Sequence, residues 1–168
     1  EVETRALNDV TLRVDEGDFI AIMGPSGCGK STLLHILGLL DEPDHGQYIF
    51  NGMSAFPASI HQRNLLLKSG LGFVFQKFNL IDDLTIFDNV QLPLFYKKWS
   101  AKKRKDRVNE VLDRMGIGHR SMHRPQQLSG GQQQRAAVAR AIVGDPLLIL
   151  ADEPTGNLDS KNGEQVME

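Results

Sequence analysis

Gly24-Pro25-Ser26-Gly27-Cys28-Gly29-Lys30-Ser31 satisfies the pattern G-x-x-x-x-G-K-[ST], with Thr32 directly after it. Glycines at these places let the backbone curl so that successive N–H groups face one anion. A helix expected from about Lys30 adds the positive end of its dipole. Lys30 supplies a full charge for β- and γ-phosphates. Ser31 offers a hydroxyl to Mg²⁺, a hard cation that takes oxygen ligands. Residues Gly24 to Thr32 therefore read as a nucleoside triphosphate cradle rather than a glycine-rich turn holding a chance lysine.

Two acids follow an uninterrupted apolar run, Leu147-Leu148-Ile149-Leu150-Ala151-Asp152-Glu153. At the end of a central strand, Asp152 can hold Mg²⁺, directly or through water, beside Ser31. Glu153 would face the γ-phosphate and orient the attacking water. Gln76 closes another apolar run, Leu71 to Phe75. Its amide suits contact with both Mg²⁺ and the water, although an ordinary loop glutamine would look the same.

Leu128-Ser129-Gly130-Gly131-Gln132 opens a helix. Two glycines permit close backbone approach, and Ser129 brings a hydroxyl to a second helix amino terminus suited to phosphate. One triphosphate does not need two cradles from one subunit, so this one would serve a partner's nucleotide. A plain N-capped helix with Ser129 as cap is the alternative.

The elements that must position these groups follow from periodicity. Val10, Leu12 and Val14 alternate with Thr11 and Arg13, as in a half-buried strand. Phe19 to Met23 reads as the strand entering the phosphate loop, and Leu33 to Leu37 as the helix leaving it. Tyr48-Ile49-Phe50 reads as a strand closed by Asn51-Gly52. These strands suggest a small antiparallel sheet. Residues 53–69 read as loop and short helix. Thr85 to about Gly116 is helical, and the 147–151 run suits a strand buried on both faces. A last helix is expected near Ser160. The result is an α/β core with a helical insertion after Gln76, and Gly24, Gln76 and Asp152 all fall at strand carboxyl ends, where ligands of such sheets sit.

The bulk properties fit that picture. The chain has 168 residues, 40% of them hydrophobic, enough for one domain with a sizeable core. A net charge of −2 gives no support for a nucleic-acid partner. Cys28, the one cysteine, rules out an internal disulfide and suits a reducing compartment. No apolar run approaches the roughly 18 residues of a membrane span. The basic run Lys102 to Lys105 reads as a solvated helix face, with anionic lipid contact as the alternative.

Gly24–Thr32, Gln76, Leu128–Arg135, Leu147–Glu153 and Asn157-Leu158-Asp159 together resemble the nucleotide-binding domain of ABC transporters, in order and approximate spacing, over essentially the whole chain. The resemblance implies a P-loop NTPase core with a small antiparallel β-subdomain and an α-helical insertion, as one domain over 1–168 with a helical subdomain at about 77–143. It implies an ATPase using ATP and Mg²⁺, with Glu153 and Gln76 catalytic and Ser31, Gln76 and Asp152 at the metal. It further implies a head-to-tail dimer, each ATP held by the Lys30 loop of one subunit and the Ser129–Gln132 segment of the other, with Asp159 in a loop crossing the interface. The phrases Ala21–Gly27, Leu33–Gly38, Gly72–Gln76 and Ala151–Ser160 look most like the lipoprotein-releasing and macrolide- or peptide-export group. In that group the ATPase works peripherally at the cytoplasmic face of the inner membrane, paired with a transmembrane permease subunit or fused to one. Phe78, Leu80 and Leu84 would receive a permease helix, or would be ordinary core.

The family's switch histidine follows the next core strand beyond Asp159, whereas His35, His45, His61, His119 and His123 all precede Asp152. The family's adenine-stacking aromatic precedes the stretch matching Val2–Leu7. The expectation is a domain truncated at both ends, with weak ATP binding and poor hydrolysis by this polypeptide. A non-transport ABC ATPase of DNA repair or translation is a competing reading, disfavoured by the acidic balance. A regulatory binding module is another, disfavoured by intact Lys30, Asp152 and Glu153.

Overall fold

The fold is seen in a computed structural model that describes residues 6–154. Its helical part rests on matched apolar stripes. In α3 (Ile86–Tyr96), Ile86, Val90 and Leu94 recur every four residues and are fully buried. In α4 (Ala101–Arg114), Val108, Val111 and Leu112 form the facing stripe. Both pack with Ala136, Ala139 and Val143, which belong to or directly follow α5 (Gly130–Ile142), and with Ile117 and Leu128. The helical stretch expected from Thr85 to Gly116 is thus two helices. They are separated at Lys97–Ser100, where Lys98 takes a positive φ of 56° and Ser100 starts a new cap.

Helix starts follow side-chain chemistry. Thr85, Ser100 and Ser129 each accept a hydrogen bond from the backbone N–H three residues on, and so does Ser59 at the head of α2 (Ile60–Gly70). α1 (Lys30–Leu37) differs: it begins on Gly29, with no side-chain cap and no acid in its first turn. Its first N–H groups are left for another acceptor.

Two small sheets complete the fold. β1 (Tyr48–Phe50) and β2 (Met53–Phe56) form an antiparallel hairpin across Asn51-Gly52, whose φ values of 47° and 74° suit the tight turn that matches strand twist. β2 lies in a stretch expected to be loop. β3 (Leu71–Val74) pairs in parallel with β4 (Leu148–Ala151), with Val74 opposite Ala151. A second core of Leu39, Ala55 and Leu66 sits between the hairpin and α2, with Tyr48 and Phe50 against it. Tyr48 donates to the Leu37 carbonyl at 2.9 Å, and burial pushes its phenol up to about 12.

Two expectations need correction. Val10–Val14 and Phe19–Met23 form no ladder among the described residues, and the antiparallel sheet is the β1–β2 hairpin instead. Phe19 and Met23 are 84% and 88% exposed. Alternation and apolar runs specify a face but supply no partner backbone, and a strand needs both. β4 is not buried on both faces: Leu150 is buried, but Ile149 and Ala151, which alternate with it onto the other face, are exposed. The last helix expected near Ser160 lies outside the described residues.

Candidate functional site

The parallel pairing of β3 and β4 fixes the site. Asp152 N–H donates to the Val74 carbonyl at 3.0 Å, extending the ladder by one bond. That bond carries Gln76 and the Asp152-Glu153 pair out at the same sheet end. There Gln76 Nε2 donates to Glu153 Oε2 at 2.6 Å. Glu153 has φ 43°, a left-handed conformation uncommon for a side chain of its size. The two groups expected to handle the attacking water are therefore in contact.

The phosphate loop reaches the same end through Ser31, whose Oγ donates to Asp152 Oδ1 at 3.0 Å. The loop is shaped by Gly27 and Gly29, at φ 78° and 93°. A Cβ on Gly29 would stand 2.4 Å from the Ala6 carbonyl oxygen, and one on Gly24 would stand 2.7 Å from Cys28 Sγ. At Gly29 the obstacle is backbone and only hydrogen fits, whereas at Gly24 the Cys28 side chain would have to turn away. Lys30 Nζ folds back over the loop and donates to the Gly24 and Pro25 carbonyls at 2.9 Å each. Its charge is thereby held at the loop mouth, next to the uncapped start of α1.

The donor set suits a hard cation. Ser31 Oγ and the Asp152 carboxylate are already adjacent. Gln76 directs an N–H at Glu153, and a hydroxyl, a carboxylate and an amide carbonyl are all oxygen donors. No cluster of three or more His, Cys, Asp or Glu that could hold a metal ion occurs among the described residues.

Ser129 lies at the head of α5. Its Oγ accepts from Gln132 N–H at 3.3 Å while its own N–H donates to Gln132 Oε1 at 3.0 Å, a reciprocal cap. The capping geometry expected of the plain alternative is therefore present. The surface over it is open, since a Cβ on Gly130 would meet nothing within 4 Å. Ser129, Gly130, Gly131 and Gln132 form one helix turn closed by the Ser129–Gln132 bonds. Asp159 lies outside the described residues.

Residues missed by sequence reasoning support these groups from behind. Gln134 of α5 is fully buried and donates to the Pro154 carbonyl at 2.6 Å, just beyond Glu153. Its register with buried Gly131, Ala137 and Ala141 marks it as an inward-facing amide. Arg140 donates to the carbonyls of Phe78 and Asn79 at 2.8 and 2.5 Å, and burial lowers its pKa. Asn89, also fully buried, bonds to Ile81 and Thr85. Phe78, Leu80 and Leu84 are half-buried, and Leu80 packs on the helical core. Of the basic run, Lys102, Lys103 and Lys105 are exposed, whereas Arg104 donates to the Trp99 carbonyl and lies over Phe95.

Comparison with known proteins agrees with this geometry. Residues 7–156 match the ABC transporter family. The chain is 51% identical to an uncharacterised ABC transporter ATP-binding protein of Thermotoga maritima, over all of this chain and 72% of that one. It is 49% identical to a macrolide export ATP-binding/permease protein, MacB, of Chlorobaculum tepidum, over 99% of this chain and 26% of that one. Among solved structures it superposes with a TM-score of 0.88 on the ATP-binding cassette MJ0796, a dimer in a post-hydrolysis state bound to ADP and phosphate. The match has 45% identity and covers 96% of this chain and 72% of that one. The chain therefore belongs to the ABC transporter family, as its ATP-binding, ATP-hydrolysing domain.

Proposed function

We propose that two copies of this chain close head to tail on two ATP molecules and that hydrolysis reopens them, driving a membrane permease of export or lipoprotein-release type. The observation that carries this reading is the meeting of Ser31 with Asp152, and of Gln76 with Glu153, at one sheet end. Residues Gly24 to Thr32 bind the phosphates through loop N–H groups, the α1 amino terminus and Lys30. Ser31, Asp152 and the Gln76 amide oxygen would hold Mg²⁺, which when bound neutralises charge on the β- and γ-phosphate oxygens. Glu153, oriented by the Gln76 amide, accepts a proton from the attacking water.

Ser129, exposed at the head of α5, presents that first turn to the nucleotide of the partner copy. The dimeric state named for the MJ0796 cassette supports closure. The MacB relatives, named as ATP-binding and permease in one protein, support the permease partner and the outward direction. No helix among the described residues is long and apolar enough to cross a membrane. In this reading the domain works peripherally, at the cytoplasmic face of the inner membrane, beside that permease.

Sedimentation velocity of the full-length protein tests closure. In Mg-ATP, Glu153→Gln is expected to sediment as a dimer, and adding Ser129→Glu is expected to return it to a monomer that still binds ATP. A Glu153→Gln protein that stays monomeric at saturating ATP, or a dimer indifferent to Ser129→Glu, contradicts the reading.

A further inference from the structure

The segment after Gln76 is held more firmly than a surface loop needs to be. Phe78 and Asn79 are consecutive residues at φ 59° and 48°, in the left-handed region that side chains disfavour. Such a pair persists only where its surroundings hold it. Phe78 N–H donates to the Phe75 carbonyl at 3.1 Å and Asn79 N–H to the Lys77 carbonyl at 2.6 Å. Their own carbonyls take the two arms of the Arg140 guanidinium. Six residues earlier on α5, Gln134 holds the Pro154 carbonyl. One helix thus grips the loop that follows Gln76 and the loop that follows Glu153, and Gln76 and Glu153 meet between those grips.

We propose that α5 sets the Gln76–Glu153 pair through Arg140 and Gln134, as positioning residues that do not touch nucleotide. α5 is also the helix whose first turn is Ser129 to Gln132, so a displacement of that turn is carried along a rigid rod to both loops. The inference rests on the roles given above to Gln76 and Glu153. The fork of Arg140 bridges two carbonyls at once, which a lysine point charge reproduces only in part. The Gln134 amide is oriented by its donor: turned over, its oxygen would face the Pro154 carbonyl.

Steady-state phosphate release by the full-length protein tests the link as a double-mutant cycle. Arg140→Met, which keeps the aliphatic stem, is expected to lower kcat about tenfold with KM for ATP within about twofold. In a Gln76→Ala background the same change is expected to cost less than about twofold, because its route to the chemistry is already cut. Arg140→Lys is expected to restore most of the loss. Equal losses in both backgrounds, or a loss carried in KM, would overturn the proposal.

Amide hydrogen exchange gives a readout independent of turnover. Arg140→Met is expected to speed exchange at Phe78 and Asn79 at least about tenfold while leaving β4 unchanged. Unchanged exchange at those two amides also overturns it. If Arg140→Met does not fold, Arg140→Lys takes its place in both measurements, with smaller effects in the same directions. A wild-type protein without turnover defeats the ATPase reading, and the exchange experiment still decides this one.

Discussion

Replacing Asn89 with alanine strips the loop after Gln76 of its anchor to α3. Asn89 is fully buried. Its Oδ1 accepts from Ile81 N–H at 2.7 Å, and its Nδ2 donates to the Ile81 and Thr85 carbonyls at 3.0 Å each. The Thr85 carbonyl keeps a second donor, the Asn89 backbone N–H at 2.9 Å, so it is not orphaned. The Ile81 N–H and carbonyl lose their Asn89 partners. One unsatisfied N–H costs about 1–3 kcal/mol and one lost bond about 0.5–1.5, so Asn89→Ala should destabilise by about 1.5–4.5 kcal/mol. Urea unfolding followed by circular dichroism should show a midpoint lowered by at least about 1 M with little change in slope. Asn89→Asp keeps the acceptor but turns a carboxyl toward two carbonyls, and it should be at least as damaging. A loss below about 0.5 kcal/mol for Asn89→Ala would mean that the loop does not depend on this amide.

The other predictions concern separate parts of the molecule. With the Tyr48 phenol raised from 10 to about 12, the unfolded chain ionises before the folded one, so stability should be full below pH 10 and fall as pH rises toward 12. Tyr48→Phe should abolish that slope in unfolding curves taken across the window, and an unchanged slope would refute the assignment. Gly29→Ala forces a Cβ against the Ala6 carbonyl at φ 93° and should weaken binding of a fluorescent ATP analogue at least about tenfold, with the fold retained by circular dichroism. Leu112→Ala opens a hole in the fully buried helical core and should cost about 2–5 kcal/mol in the same urea assay.

What could be read from the sequence divides along physical lines. The phosphate loop was legible because its geometry is local: glycine alone fits φ 78° and 93°, and the spacing to Lys30 and Ser31 is fixed by the helix start. The Asn51-Gly52 turn and the helical character of the stretch from Thr85 to Gly116 were legible for the same reason, although its division into two helices was not. Asp152 and Gln76 were placed correctly at strand ends because each terminates an apolar run. Pairing was not legible. Nothing in Val10–Val14 says which backbone lies beside it, and the 147–151 run gave no hint that Ile149 would be 49% exposed. The supports of the site were also hidden. Arg140 reads as one more charge on an amphipathic helix, and only the tertiary arrangement turns it toward the Phe78 and Asn79 carbonyls.

The central claim is that Glu153, set by Gln76 beside the Ser31–Asp152 pair, drives ATP hydrolysis. Its most direct test is phosphate release by the full-length wild type and Glu153→Gln at saturating Mg-ATP, with ATP affinity measured on the same samples. Glu153→Gln should bind ATP within about twofold of wild type and turn over at least about a hundredfold more slowly, a loss of general-base catalysis. Turnover within a few-fold of wild type at matched occupancy would contradict the account and send the search for the water-activating group elsewhere in the chain.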